Sequence, residues 1–183
     1  MTGEPQQLNG YYVVKPHHLE TFRAAGAVKR YHIVRTLRQQ SVAEHSWNVA
    51  LLVYMIYPQA SPKLIKAALT HDVAEITTGD VPATAKWKEP KIKELLDVVE
   101  AEFRKKYHID YKLTSKEYKI LKWCDMMELV IWCQEEMELG NKYATPIHAN
   151  GVAYLEKVGH PTMQAEVLFH TITSHWRQHG IRK

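Results

Sequence analysis

The chain has 183 residues, 45% of them hydrophobic and 24% charged, with a formal charge of +4. That length suits one domain with its own core, and that composition excludes a disordered or fibrous chain. The mild positive charge suits an anionic substrate and is too small to argue for nucleic-acid binding.

The N-terminus lacks the charged-then-apolar pattern of a secretory signal, and no stretch has the apolar length of a membrane span. A cytoplasmic protein without membrane contact is expected. Residues 11–15 (YYVVK) are the best strand candidate and stand alone. Ser41 and Glu44 have capping-box spacing, and Val49, Leu52, Val53 and Ile56 follow at helical spacing. A helix is therefore expected over residues 42–57, ended by Pro58. Ser61-Pro62 opens the next helix, which carries Leu64, Ile65, Ala68 and Leu69 and is expected to reach Thr77. Residues 88–107 are amphipathic, with Ile92, Leu95, Leu96, Val99 and Phe103 on one face. Thr114 and Glu117 form a second capping box, opening a long helix to about Leu139, where Gly140-Asn141 stops it. Thr145-Pro146 starts a helix to about Val158, and residues 162–178 form the last, after the Gly159-His160-Pro161 break. The expected fold is all-α: one domain over residues 1–183, a bundle of five to seven helices. Cys124 and Cys133, nine apart in one helix, cannot meet and read as reduced core thiols.

Three segments carry candidate chemistry. The run ILKWCDMMELVIWC, residues 120–133, is apolar except for Lys122, Asp125 and Glu128. A carboxylate buried there needs a cation or several donors. Asp125 is either half of a Lys122–Asp125 pair at i, i+3 or a metal ligand. His71 and Asp72 are adjacent, about 100° apart on a helix, so both can reach one ion, with Glu75 one turn on. His45 lies one turn into a capped helix. Two imidazoles and two carboxylates would suit one divalent transition metal: manganese, iron, cobalt, nickel or zinc.

The order of these residues resembles that of the HD-domain phosphohydrolases. The sequence reads Arg30-Tyr31, Glu44-His45-Ser46 fifteen residues after the arginine, His71-Asp72, Glu75, Gly79-Asp80-Val81-Pro82, Lys86 and Asp125. Over residues 20–130 it is similar to bacterial 5′-deoxynucleotidases and to short bacteriophage dATP triphosphohydrolases. The resemblance implies that His45, His71, Asp72 and Asp125 bind the metal and that Glu75 handles the attacking water. It implies that Asp80 assists at the leaving group and that Arg30 and Lys86 contact phosphate. Tyr31 stands where the nucleotidases tend to carry a tryptophan that packs on the sugar.

The implied activity is metal-dependent hydrolysis of deoxynucleoside monophosphates. The intervals from His45 to His71 and from His71 to Asp125 are short, which pulls towards the phage triphosphohydrolases as the alternative, with magnesium accompanying a polyphosphate. A non-catalytic nucleotide-sensing module is a second alternative. The expected partner is a small deoxynucleotide, with no stably bound nucleic acid. The tail around Trp176 and Arg177 reads as a frayed helix end. Trp123, Trp132 and Trp176 offer apolar surface for a homo-oligomer.

Overall fold

The computed structural model describes residues 7–8, 11–12 and 16–179, and the side chains of residues 7, 8, 11, 12, 83, 84, 87 and 175–179 lie outside it. A small antiparallel pair, β1 (Gln7–Leu8) and β2 (Tyr11–Tyr12), sets Leu8 opposite Tyr11. The strand expected at residues 11–15 is present at its first two positions, and residues 13–15 lie outside the described set. The other described residues form seven α-helices of nine residues or more, one of six residues, two 3-10 turns and the loops between them.

The first helix, α1 (Pro16–Gly26), has no counterpart among the expected elements. A loop over residues 27–41 leads to α2 (Val42–Ile56), and the Ser41 oxygen accepts the Glu44 amide. The returning arm of the expected capping box is not formed among the described residues. Backbone bonds Arg30 N–H to Gln40 O and Val42 N–H to Val28 O hold Ser41 opposite Lys29. After its Ser61 cap and first-turn proline, α3 (Pro62–Thr70) stops seven residues before the expected Thr77. At Asp72 the backbone leaves the helical region (φ −102°, ψ 7°), and a 3-10 turn (Val73–Ile76) follows.

Short α4 (Ala83–Lys88) and α5 (Pro90–Lys106) come next. No described residue of α5 is buried. Of its apolar face, Leu96 borders a cleft and Phe103 packs against a small core cluster of Ala25, Val73 and Ile109. Long α6 (Ser115–Glu138) has the expected capping box with both arms formed. A 3-10 turn (Lys142–Ala144), α7 (Thr145–Val158) and α8 (Met163–His179) complete the chain.

The core joins α2, α3, α6, α7 and α8 through Val49, Val53, Leu64, Ile120, Met127, Leu155 and Phe169. Each such side chain contributes about 1.5–3 kcal/mol through its burial. A Cβ at Gly151 would stand 2.8 Å from Val130 Cγ2, so the missing side chain sets how closely α7 approaches α6. Trp123 and Trp132 are buried, so neither offers surface for self-association, and the Trp176 side chain lies outside the described residues. Cys124 and Cys133 are free thiols in the core, as expected. No helix among the described residues is long and apolar enough to cross a membrane.

One buried carboxylate fixes the 27–41 loop. Glu136, fully buried on α6, accepts the Leu37 and Arg38 amides (2.7 and 3.0 Å), Arg38 Nε (3.2 Å) and Asn141 Nδ2 (2.8 Å). Burial alone would raise its pKa, but these donors reverse the direction and hold it below the usual glutamate value. The loop so anchored carries Arg30 and Tyr31.

Candidate metal centre

The break in α3 shapes the site. His71 caps the end of α3, and the tightened turn after it swings Asp72 beside it and Glu75 behind it. α2 supplies His45, wholly buried, and α6 supplies Asp125.

His45 Nε2, His71 Nε2 and Asp72 Oδ2 stand 3.2, 3.6 and 3.4 Å apart. A point equidistant from these three atoms lies about 2 Å from each, the length of a zinc–nitrogen or zinc–oxygen bond. Among the described residues this trio forms a group able to hold an ion. Asp125 Oδ1 approaches from α6, 3.2 Å from His45 Nε2 and 3.8 Å from His71 Nε2.

The outer nitrogens fix the tautomers. His71 Nδ1 donates to Ala68 O (2.8 Å), and His45 Nδ1 donates to Glu128 Oε2 (2.5 Å). Both Nε2 lone pairs are thereby left facing one another, with two carboxylates beside them. Such an arrangement requires a cation. In the metal-free chain a proton supplies it: burial and the Arg30 charge oppose protonation of His45, but the Asp125 and Glu128 carboxylates outweigh them and push its pKa up to about 9. Asp125 moves the other way. Lys122 and the two histidines overcome burial and hold it well below the usual aspartate value. The donor set therefore fits a divalent ion, which would take the place of the His45 proton.

Glu128 is the residue that sequence reasoning missed. Its second oxygen accepts Gln40 Nε2 (2.7 Å) and Asn48 Nδ2 (3.3 Å), so the carboxylate that aims His45 is itself held in place. The signal was present: Glu128 lies one turn after Asp125 in the same apolar run. We expect Glu128→Gln to weaken metal retention about 10- to 100-fold, the usual cost of losing an outer carboxylate–histidine contact, read by chelator competition.

A cleft of about 560 Å³ opens onto the group, and its walls include Arg30, Asp72, Glu75, Asp80, Lys86 and Lys122. Glu75 is buried and its Oε2 has no hydrogen-bond partner. Burial, with the Asp72 and Asp80 charges, pushes its pKa up to about 9. Arg30 donates through Nη1 to Asp72 Oδ2 (2.7 Å), while its buried Nε–H has no partner.

Asp80 and Tyr31 make contacts that their expected roles did not include. Asp80 lines the cleft, and its Oδ2 accepts the Tyr31 amide (3.0 Å), so it also braces the loop. Tyr31 is not part of the cleft wall; its ring stacks on Trp132 (centroids 4.0 Å apart, planes at 14°). Its backbone is left-handed (φ 58°), a conformation costing about 1–3 kcal/mol. The Asp80 bond and the Trp132 stack keep Tyr31 in it.

The helical arrangement is that of the HD-domain phosphohydrolases. Superposition on the cyanophage S-2L HD phosphohydrolase DatZ, solved with dA and one catalytic zinc ion, gives a TM-score of 0.73 at 22% identity, covering 89% of this chain and 98% of that one. An HD-domain phosphohydrolase from Listeria innocua gives 0.70 at 21% identity, covering 90% of each chain. The chain belongs to the family described as 5′-deoxynucleotidase YfbR-like, whose model matches residues 17–173. Among curated relatives, the dATP triphosphohydrolase of cyanophage S-2L is 34% identical over 115 residues, 59% of this chain and 65% of that protein. The 5′-deoxynucleotidase yfbR of Photorhabdus temperata is 27% identical over 138 residues, 62% of this chain and 70% of that one.

Proposed function

We propose that the chain hydrolyses the phosphate ester of deoxynucleoside monophosphates at one divalent ion held by His45, His71, Asp72 and Asp125. The observation that carries this reading is the pair of imidazole Nε2 atoms 3.2 Å apart, facing two carboxylates beside the buried Glu75. The mixed nitrogen and oxygen donors suit zinc, cobalt, manganese, nickel or iron, and the zinc ion of the cyanophage structure supports zinc.

When bound, the ion supplies Lewis acidity towards a phosphoryl oxygen and makes water more acidic. Glu75 takes the proton of the attacking water through the carboxylate whose Oε2 has no other partner. Arg30, through its unpaired Nε–H, and Lys86 hold the remaining phosphate oxygens. Asp80 acts indirectly, holding the backbone next to Arg30. The substrate is a small deoxynucleotide. A homo-oligomer is supported by an exposed stripe on α2, Trp47, Leu51, Tyr54 and Met55, which replaces the buried tryptophans as its basis.

Deoxynucleoside triphosphates are the second reading. It is favoured by the phage relative and by a cleft whose lining extends to Lys93 and Arg104 on α5, each paired with an acid of the same helix, Asp97 and Glu100. Product analysis with dAMP and dATP in the presence of manganese or cobalt separates the two. Phosphate and deoxyadenosine from dAMP are expected. Triphosphate released from dATP with dAMP left intact would transfer the assignment to the second reading. Tight nucleotide binding without any hydrolysis would leave a sensing module.

A further inference from the structure

Lys122 on α6 has so far appeared as the neighbour of a metal ligand. Its Nζ donates to Asp125 Oδ2 (2.9 Å), while the other oxygen of that carboxylate, Oδ1, is turned to the two histidines. The ammonium lines the cleft and its side chain is 49% exposed. We infer that Lys122 is a third phosphate-holding cation, released from Asp125 onto a substrate oxygen when the ion is bound.

The argument is electrostatic. A carboxylate shared with a divalent ion has less charge to offer its lysine, and the ion repels the ammonium directly. The Lys122–Asp125 pair is a half-exposed i, i+3 contact, a weakly held kind. A phosphate adjoining the ion offers the ammonium a doubly charged partner on the open side, and charge-assisted bonds to phosphate are the stronger ones. The position is also balanced. Arg30 stands against the ligand Asp72 from the 27–41 loop as Lys122 stands against the ligand Asp125 from α6, and both side chains border the cleft. A phosphoryl group beside the ion would then have a cation on each flank.

This inference rests on the phosphohydrolase reading, and its test separates the two. Lys122→Met and Lys122→Arg are compared with the natural protein in two titrations, cobalt by chelator competition and inorganic phosphate by calorimetry on the cobalt-loaded protein. KM and kcat are then taken on whichever deoxynucleotide is hydrolysed. Lys122→Met is expected to hold cobalt at least as tightly, since a competing cation is gone. Its phosphate Kd and its KM should each rise about tenfold, equivalent to about 1.4 kcal/mol, with kcat changing less. Lys122→Arg should recover most of the phosphate affinity. Unchanged phosphate affinity in Lys122→Met overturns the inference. Weaker cobalt with unchanged phosphate also overturns it and makes Lys122 a support for Asp125. If the natural protein hydrolyses no nucleotide, the functional reading fails, and the phosphate titration alone still decides the role of Lys122.

Discussion

Asp72→Ala is expected to abolish metal retention and turnover together. Asp72 Oδ2 closes the triangle with the two imidazoles, 3.6 Å from His45 Nε2 and 3.4 Å from His71 Nε2. Losing a ligand should cost more than the 10- to 100-fold that loss of an outer contact typically costs. Two further consequences distinguish Asp72 from a merely nearby acid. Arg30 loses the acceptor of its 2.7 Å bond and becomes a buried guanidinium without its acid partner, which should destabilise the fold by about 1–3 kcal/mol. Glu75 loses one of the negative charges that raise its pKa, so its titration should move towards the ordinary glutamate value. The isosteric Asp72→Asn keeps most of the packing and tests the charge alone. Metal content by elemental analysis, with nucleotide turnover, reads the main effect. A variant that retains stoichiometric metal would remove Asp72 from the ligand set.

The helices were legible where local chemistry defines them. The capping box at Thr114, the proline at the start of α3 and the glycine after α6 are short-range signals, and α3, α6 and α7 start where those signals lie. The end of α3 was not legible, because the turn at Asp72 belongs to the site and not to the apolar periodicity that runs on through Ile76. The same distinction holds within the site. The order of His45, His71-Asp72, Glu75 and Asp125 could be read along the chain, and the structure brings these residues together. Pairing with Lys122 and approach to the imidazoles are not alternatives for Asp125, since its two oxygens serve one each. The contacts of Tyr31 depend on partners 49 and 101 residues away, Asp80 and Trp132, and nothing near Tyr31 announces either. Glu136 was hidden for a related reason: a glutamate in a helix reads as solvated until the loop that supplies its donors, here the Leu37 and Arg38 amides, is in place.

Glu75→Gln should retain the ion and lose turnover. The side chain is buried beside the metal group but makes none of its close contacts, so the glutamine variant should bind cobalt or zinc as the natural protein does. A positioned general base contributes about 10²- to 10⁴-fold, and kcat should fall by that amount with KM little altered. Unimpaired turnover in this variant would remove Glu75 from the chemistry. A second measurement reads the environment of the carboxyl independently of catalysis. Burial and the Asp72 and Asp80 charges raise the Glu75 pKa to about 9 in the metal-free chain, from an ordinary value near 4.5. Between those values the folded state binds more protons than the unfolded state, so this group lowers stability as pH rises through the window. Thermal unfolding of the chelated protein should therefore show Glu75→Gln gaining on the natural chain from about pH 5 to pH 9, with no difference in slope below the ordinary glutamate pKa. Metal loading should erase much of that gain, because an adjacent divalent ion favours the ionised carboxylate. Loss of turnover with a flat stability difference would mean that Glu75 is catalytic without being held in the protonated form.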